Sequence, residues 1–597
     1  MKADRGGASH GTLLRCQSPY KIQEKISQDQ LSITTLYRGC LGQFRFSDTQ
    51  HWTLTIVLPL HSQTCSIDIM LSLWTVWAAV AVVTVVASLS WRVFNYFRDP
   101  KQLRRFTNMS LFSGLTNLPF IVVAHSGQRS EYVLKRHRET GKGVLRIGPM
   151  HLSYSDPEAI KYIYGHGTKC SKDAGYLIQA ATHFHLADVV DKPDHARKRK
   201  ILASAYAIKN LEEWEYKVAD KVERLVAQFD KRCTAPLPKD QRMPDPQDLT
   251  INYRMWTNFF TVEAIADIGM SEKLGFIDRG NDMCDAVNPD GTTFTASFRD
   301  SLYTTNEKTS LIVHSYDYFK ILDKLSGYTG GIYRRGTQAA KNWDGIHLRR
   351  TQKRLEAYNR GEKYDDFFQA LMEDKAGRPN NLELGEIDAE MNIMLNAGST
   401  TTAIAIANVT YHLLKHPHIL AKLREEVDRA LDPEEVIAPY DSVKNLPYLR
   451  ACLDESLRIV SPTTQNLGRV TPPEGLQIMD QYIPGGVSVS MSALVVHNDP
   501  NIFPEPQKYI PERWLGEDGK KLQPYFLAFS AGARGCIGRN ISYLEQTVLI
   551  ASLVHRYEFA LPSPEFEVTR LETMNMHVGP MPMKIWRRQI PGLSKEE

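Results

Sequence analysis

A mainly α-helical fold with small β-sheets, formed as one large domain behind a single N-terminal transmembrane helix, is predicted from three observations. Residues 69–91 read IMLSLWTVWAAVAVVTVVASLSW, without a charge, and such a run forms a helix long enough to cross a hydrocarbon core of about 30 Å. Beyond residue 100, helical patterns dominate, with short extended pieces between them and no repeat, low-complexity tract or long Gly/Ser linker. Third, residues 529–539 read FSAGARGCIGR and directly precede the last clear helical pattern. Of the 597 residues, 42% are apolar and 23% charged, enough for a large core. The net charge of +4 is small for this length. No basic tract is interleaved with aromatics, so no nucleic-acid partner is expected.

Taken from the N-terminus, residues 1–68 are polar and without clear periodicity, and they carry Lys2, Arg5, Arg15, Lys21, Lys25, Arg38 and Arg45. They are expected to be an unstructured extension, with the functional protein beginning near Met70. Tryptophans towards both ends of 69–91 suit a membrane interface, and Arg92, Arg98, Lys101, Arg104 and Arg105 follow it. Positive charge beside a membrane helix favours the cytosolic side. Residues 92–114 then form a basic linker, and the domain spans 115–590. Within it, 144–155 (VLRIGPMHLSYS) read as two extended runs around Gly148-Pro149. Asp156-Pro157-Glu158 begins a helix with an acidic cap and Pro at the first position. A long helix over 384–414 is expected to be interrupted at Ala397-Gly398. Amphipathic helices cover 419–430 and 446–459, extended segments fill 464–495, and the last helix, 537–557, starts directly after Cys536.

The eight cysteines (Cys16, Cys40, Cys65, Cys170, Cys233, Cys284, Cys452 and Cys536) show no C-x-x-C and no paired spacing, which excludes a disulfide framework or a zinc site. Seven read as small hydrophobes. Cys536 stands before a helix, where free N–H groups and the positive dipole end stabilise a thiolate. Gly532, Gly535 and Gly538 let the backbone turn tightly and approach a flat ligand. Arg534 can reach an anion on that ligand, and Phe529 can shield a face. This is the setting of a cysteinate under a porphyrin.

The pattern F-x-x-G-x-R-x-C-x-G, met by Phe529, Gly532, Arg534, Cys536 and Gly538, resembles the haem-binding signature of the cytochrome P450 family. Further motifs follow in the family's order. Glu455-Ser456-Leu457-Arg458 looks like its E-x-x-R and Pro511-Glu512-Arg513-Trp514 like its P-E-R-F/W; the resemblance implies a buried Glu–Arg–Arg network under the cysteine loop. Glu426/Arg429 and Glu567/Arg570 also match E-x-x-R and read as solvated charges. His195 and Arg199 resemble the family's W/H-x-x-x-R, and at i, i+4 they share a helix face. Arg469 matches its propionate-contacting arginine by relative position. Ala397-Gly398-Ser399-Thr400-Thr401-Thr402 resembles the oxygen-side motif, with Thr401 as the catalytic hydroxyl, but Thr400 stands where the family usually has an acid.

The resemblance covers about 115–590 and extends, in IKYIYGHG, PERW and MHVGPMPMKIWRR, to the fungal membrane-bound branch with benzoate para-hydroxylases and secondary-metabolite tailoring enzymes. It implies a cytochrome P450 fold, haem (iron protoporphyrin IX) on Cys536, and insertion of one oxygen atom from O₂ into a small apolar substrate. It further implies electrons from NADPH through a separate NADPH–cytochrome P450 reductase, with or without cytochrome b5, and a single-pass anchor in the endoplasmic reticulum lipid with a cytosolic catalytic domain. Arg197, Lys198 and Lys200 offer a basic surface for that reductase. Two alternatives stay open: rearrangement, dehydration or coupling without oxygen insertion, and a non-catalytic haem-binding sensor. Pocket-lining segments are expected at 170–190, 285–330, 461–468 and 572–580, with Tyr176, Leu177, Ile178, Phe184, Phe294, Phe298 and Leu467 facing an apolar guest.

Overall fold

Two short strands, β1 (Leu41–Phe46) and β2 (Trp52–Val57), pair antiparallel with Leu41 opposite Val57, a pairing that the unpatterned sequence there does not suggest. The helix that follows, α1 (Gln63–Arg98), contains the apolar run and outlasts it at both ends. It stops where Asp99 adopts a left-handed conformation just before Pro100. Trp77, Val83 and Trp91 are exposed along it, and its Thr75–Arg98 part is long and apolar enough, by length and composition, to cross a membrane. This computed structural model describes residues 41–46, 52–57, 63–177, 183–203 and 205–590. Most of the extension assigned to 1–68, namely 1–40, 47–51 and 58–62, lies outside the described residues.

The large unit, Trp91–Glu597, takes in residues assigned from sequence to a basic linker. Leu103 and Met109 are buried, and between them β3 (Thr107–Asn108) runs parallel to β4 (Val144–Gly148). β4 turns at Gly148-Pro149 into β5 (His151–Tyr154), as the alternation there predicts. These strands, with β6 (Ser171–Lys172), β7 (Arg469–Val470) and β8 (Ser488–Ser490), form one six-stranded sheet in the order β3-β4-β5-β8-β7-β6. Its register sets Arg469 directly opposite Lys172.

Most of the rest is helical, with small two- and three-stranded sheets between; the helices that matter for the site are α2 (Lys192–Ala203), α3 (Tyr253–Met270), α4 (Phe298–Ile312), α5 (Leu384–Lys415), α6 (Pro417–Ala430), α7 (Pro447–Ile459) and α8 (Arg539–Arg556). A hairpin of β9 (Arg570–Glu572) and β10 (Met576–Val578) follows α8. Ile265 of α3, Ile404 of α5, Leu453 of α7 and Val548 of α8 belong to one buried apolar core. The expected interruption of α5 at Ala397-Gly398 is absent: the helix runs unbroken. Gly398 is instead a point of close approach, since a Cβ there would lie 2.5 Å from Ile265 Cγ1. Thr261 Oγ1 of α3 donates to Ser399 O at 2.7 Å beside it.

Candidate active site

The cysteine loop is shaped by its backbone. Gly532 has φ +66°, and a Cβ on it would come within 2.0 Å of Tyr164 O, so both conformation and space demand glycine. The Cys536 N–H donates to Phe529 O (2.9 Å) and the Gly535 N–H to Gly532 O (3.0 Å). α8 begins at Arg539, with Gly538 as its cap, three residues beyond Cys536 rather than directly after it. The N–H groups of Gly538 and Arg539 still point at the Cys536 sulfur. Burial pushes the thiol's pKa up, while those two N–H groups and the Arg199 and Arg539 guanidinium groups oppose the shift.

The loop stands on an ionic network with no exposed member. Glu455 accepts from Arg458 Nε and Nη2 (both 2.8 Å) and from Arg513 Nε (3.1 Å). Trp514 Nε1 (2.9 Å) and the Ile510 N–H (3.0 Å) complete its shell. Arg458 Nη1 reaches His497 O (2.9 Å) and Pro506 O (2.8 Å). His497 extends the network: its Nδ1 bonds Arg458 O (3.0 Å) and its Nε2 accepts from the Leu527 N–H (2.9 Å), two residues before Phe529. Burial and then Arg458 hold His497 down at about 3, so it stays neutral and able to accept. Nothing in the sequence marks this histidine, a lone ring in an apolar helix. The other E-x-x-R matches differ from their assignment as solvated charges. Glu426 caps α7 by accepting from the Tyr448 and Leu449 N–H groups (both 2.8 Å), and Arg570 grips Asn408 Oδ1 (3.1 and 3.0 Å). Arg429 and Glu567 are surface charges, as expected.

Around the loop gather five basic side chains, none in an ion pair among the described residues. Arg534 donates to Val189 O (2.7 Å), Val190 O (3.0 Å) and Asp191 O (3.3 Å). Arg199 Nη1 donates to Gly535 O (2.9 Å), and Arg469 Nη1 to Gly468 O (2.9 Å) and Tyr176 OH (3.3 Å). Lys172 Nζ donates to Ala187 O, and His195 lies buried beside them. Burial and then repulsion lower three of them, whereas Arg469 is pushed up against its burial by Tyr176 and Tyr164. Lys172 falls to about 7, with Arg534 and Arg469 adding to its burial. Arg534 falls to about 10, and His195 to about 3, with Arg534 the largest charge acting on it. Cations left facing one another in a cavity call for an anion. The two carboxylates of a haem meet that need, and beside the sulfur a Cβ on Gly538 would meet nothing closer than 3.9 Å. These residues fit the group.

Cys536, Phe529, Arg534, His195, Arg199 and Arg469 line one cavity of about 880 Å³, and Ala397, Gly398 and Thr401 line it from α5. Of the predicted site residues only Gly532 lies off its wall, behind the loop. Thr401 Oγ1 donates to Ala397 O (2.9 Å). The Thr400 hydroxyl is buried with no partner among the described residues, and Thr402 Oγ1 donates to Ser542 Oγ (3.0 Å). Lys198, expected in solvent, is buried and paired with Glu386 (2.5 Å) and Glu390 (3.2 Å); it offers no docking charge. Arg197 pairs with Glu386 and Asp194, whereas Lys200 is exposed. Of the expected pocket side chains, Tyr176 and Leu467 line the cavity. Leu177 and Phe184 are exposed and Phe298 is buried in the core. Phe294 packs against Gly345, and Ile178 lies outside the described residues.

Comparison with known proteins agrees with this geometry. A cytochrome P450 monooxygenase of Botryotinia fuckeliana is 28% identical over 513 residues, covering 82% of this chain and 88% of the relative. A benzoate 4-monooxygenase of Aspergillus niger is 27% identical over 462 residues, covering 75% and 86%. A crystal structure of a cytochrome P450 superposes with a TM-score of 0.60 at 19% identity, over 77% of this chain and 94% of that one, which shows the fold. The family model described as Cytochrome P450 matches residues 104–585, and the chain therefore belongs to the cytochrome P450 family.

Proposed function

We propose that the protein is a haem-thiolate monooxygenase of fungal secondary metabolism that inserts one oxygen atom from O₂ into an organic substrate held in the 880 Å³ cavity. The observation that carries the reading is Cys536 in that cavity, with two backbone N–H groups at its sulfur and an uncompensated set of cations around it. Cys536 would ligate the iron, and Arg199, Arg469, Arg534, His195 and Lys172 would take the carboxylates. When bound, haem supplies the iron at which dioxygen is reduced. The chain's own residues do the rest. Gly532 and the Glu455–Arg458–Arg513 network hold the thiolate in place, and Phe529 covers it. Ala397 and Gly398 leave room on α5, and the Thr401 hydroxyl positions a proton donor at the reacting oxygen.

The reading includes electrons from NADPH through a separate NADPH–cytochrome P450 reductase, with or without cytochrome b5. It places α1 in the endoplasmic reticulum membrane as a single-pass anchor, with residues 1–68 as an extension and the catalytic domain cytosolic. The buried, unpartnered Thr400 hydroxyl, where an acid would relay protons, favours a second reading in which the substrate is rearranged or dehydrated without oxygen insertion. Incorporation of oxygen-18 from O₂ into product separates the two. The test of the main reading is the reduced, carbon-monoxide-treated protein, which should show the red-shifted band of thiolate ligation. Cys536→Ser should abolish both band and turnover; a serine variant that kept both would end the assignment.

A further inference from the structure

The part of the cavity wall built by α4, α5, the loop after α7 and the β9–β10 hairpin carries charges of a different kind from those at the cysteine loop. Arg129 is held by Glu572 (3.3 Å) and Thr573 O (2.9 Å). Glu572 also takes the Ser130 N–H (2.6 Å) and Thr464 Oγ1 (3.0 Å). Lys308 pairs with Asp323 at 2.7 Å. Burial and the adjacent Arg129 keep His314 well below the usual imidazole range, and so neutral. Both buried cations on this wall, Arg129 and Lys308, are thus neutralised from within the chain, and Lys320 is exposed. Among the described residues the buried cations without an ion pair are those at the Cys536 loop, where the haem carboxylates would sit.

What this wall leaves unused is neutral and comes as amides. Asn306 Nδ2 of α4 donates to Asn396 Oδ1 of α5 at 3.4 Å, leaving one acceptor and one donor of the pair without a partner among the described residues. After α7, Thr463 Oγ1 donates to Asn575 Oδ1 (3.0 Å) and Gln465 Nε2 to Met574 O (3.4 Å), leaving the Asn575 donor and the Gln465 acceptor. Each group therefore presents one donor with one acceptor, the complement of a hydroxyl. The neighbouring wall is apolar, with Leu302, Val313, Met391 and Met574. A carboxylate placed at the two amide pairs would meet amide oxygens, and Lys320, the cation on this wall without an ion pair among the described residues, is exposed rather than buried. A hydrocarbon would leave four amide groups dry and unpaired, a cost of about 1–3 kcal/mol for each buried group.

We propose that the guest is an uncharged molecule with an apolar body and two oxygen functions, hydroxyl or carbonyl, one held between Asn306 and Asn396 and the other at Gln465 and Asn575. This deepens the monooxygenase reading and rests on it. It also separates the protein from the relative named for benzoate, since among the described residues this wall offers a carboxylate no buried unpaired cation.

The test uses the full-length, detergent-solubilised protein and three probes of one skeleton: decalin, a decalin diol and decalin carboxylate. Affinities are read by equilibrium dialysis, and the reduced carbon-monoxide band is recorded on every sample. The diol should bind about tenfold or more tighter than the other two. Asn396→Leu and Gln465→Leu should each weaken the diol about fivefold, one net hydrogen bond's worth. Decalin affinity that holds or rises in both variants, because the dry amide is gone, would certify that the wall has kept its shape. Tightest binding by the carboxylate, or a diol affinity indifferent to both leucine variants, overturns the proposal. If the ranking held without the thiolate band, the guest chemistry would stand and the haem-thiolate reading would fall. If the band appeared without the ranking, the haem-thiolate reading would stand and the guest chemistry would fall.

Discussion

Two walls of one cavity are built on opposite principles. Under Cys536 the polar groups are densely paired within the chain: Glu455 alone accepts five hydrogen bonds from four residues, and Gly532 admits no other side chain. On the α4–α5 side, amides such as Asn306 and Asn396 touch one another at 3.4 Å and keep half their valence free. The first wall has one shape and is stiff, as suits a thiolate that must not move. The second is polar but undemanding, as suits a guest that must arrive and leave. Substitutions should therefore act on folding at the first wall and on selectivity at the second.

The largest expected effect is Arg458→Leu, which leaves Glu455 buried without its bidentate partner. Breaking a buried pair costs about 3–5 kcal/mol, so the thermal midpoint should drop steeply and purified protein should lose haem. In the same melting experiment Asn396→Leu should cost less than about 1 kcal/mol. Equal losses for the two would erase the distinction between the walls.

Next comes Gly532→Ala. A left-handed φ costs an L-residue about 1–2 kcal/mol, and here the new methyl also meets Tyr164 O at 2.0 Å. The variant should melt earlier and release haem faster in dialysis against apomyoglobin. Unchanged haem retention would mean that the loop can shift without consequence.

A third prediction sharpens the electrostatic side. In the folded chain Lys172 gives up its proton at about 7, far below an unfolded lysine at about 10.4. Between those values the unfolded chain binds more protons, so stability of the haem-free protein should rise with pH. Urea unfolding at pH 7.5 and 9.5 should show that rise, Lys172→Met should flatten it, and haem should also flatten it by holding the proton on. A slope indifferent to Lys172→Met would show that the charge is not under strain there.

The same contrast explains what can be read from the sequence. The cysteine loop lies within eleven consecutive residues whose chemistry is local: glycines at a turn, a thiol before a helix, an arginine two positions away. The helices around it also declare themselves by periodicity, which is why α6 and α7 fall within two residues of expectation. The cluster of five basic residues is mostly legible. His195, Arg199, Arg469 and Arg534 follow from motifs, but Lys172 enters through a two-residue strand pairing with Arg469, and nothing local announces that. Lys198 misleads because a basic run looks solvated until Glu386 and Glu390, far along the chain, bury it. The substrate wall is legible only as segments. Aromatic residues are the natural expectation for it because guests are apolar, yet Phe298 serves the core, and the amides that do line it are indistinguishable in sequence from surface polarity.

The smallest effect on folding should come from Thr401→Ala, and it would expose the chemistry of α5. Among the described residues the Thr401 hydroxyl bonds only to Ala397 O in its own helix, a contact that contributes little to a helix, and alanine is the better helix former. Stability should change by less than about 0.5 kcal/mol, with haem retained in full. Turnover should not escape so lightly. If this hydroxyl positions the proton donor, product formed per NADPH should fall and hydrogen peroxide should rise by the missing amount. Its neighbour supplies the control. Thr400 is buried with its hydroxyl unpartnered, so Thr400→Val removes an unpaired polar group at nearly constant shape and should stabilise the fold by about 1 kcal/mol without altering the product ratio. Uncoupling by Thr400→Val but not by Thr401→Ala would move the proton relay one residue back along α5, to a face that the cavity does not touch. Unchanged coupling in both would remove this helix from proton delivery and put rearrangement or dehydration ahead of oxygen insertion.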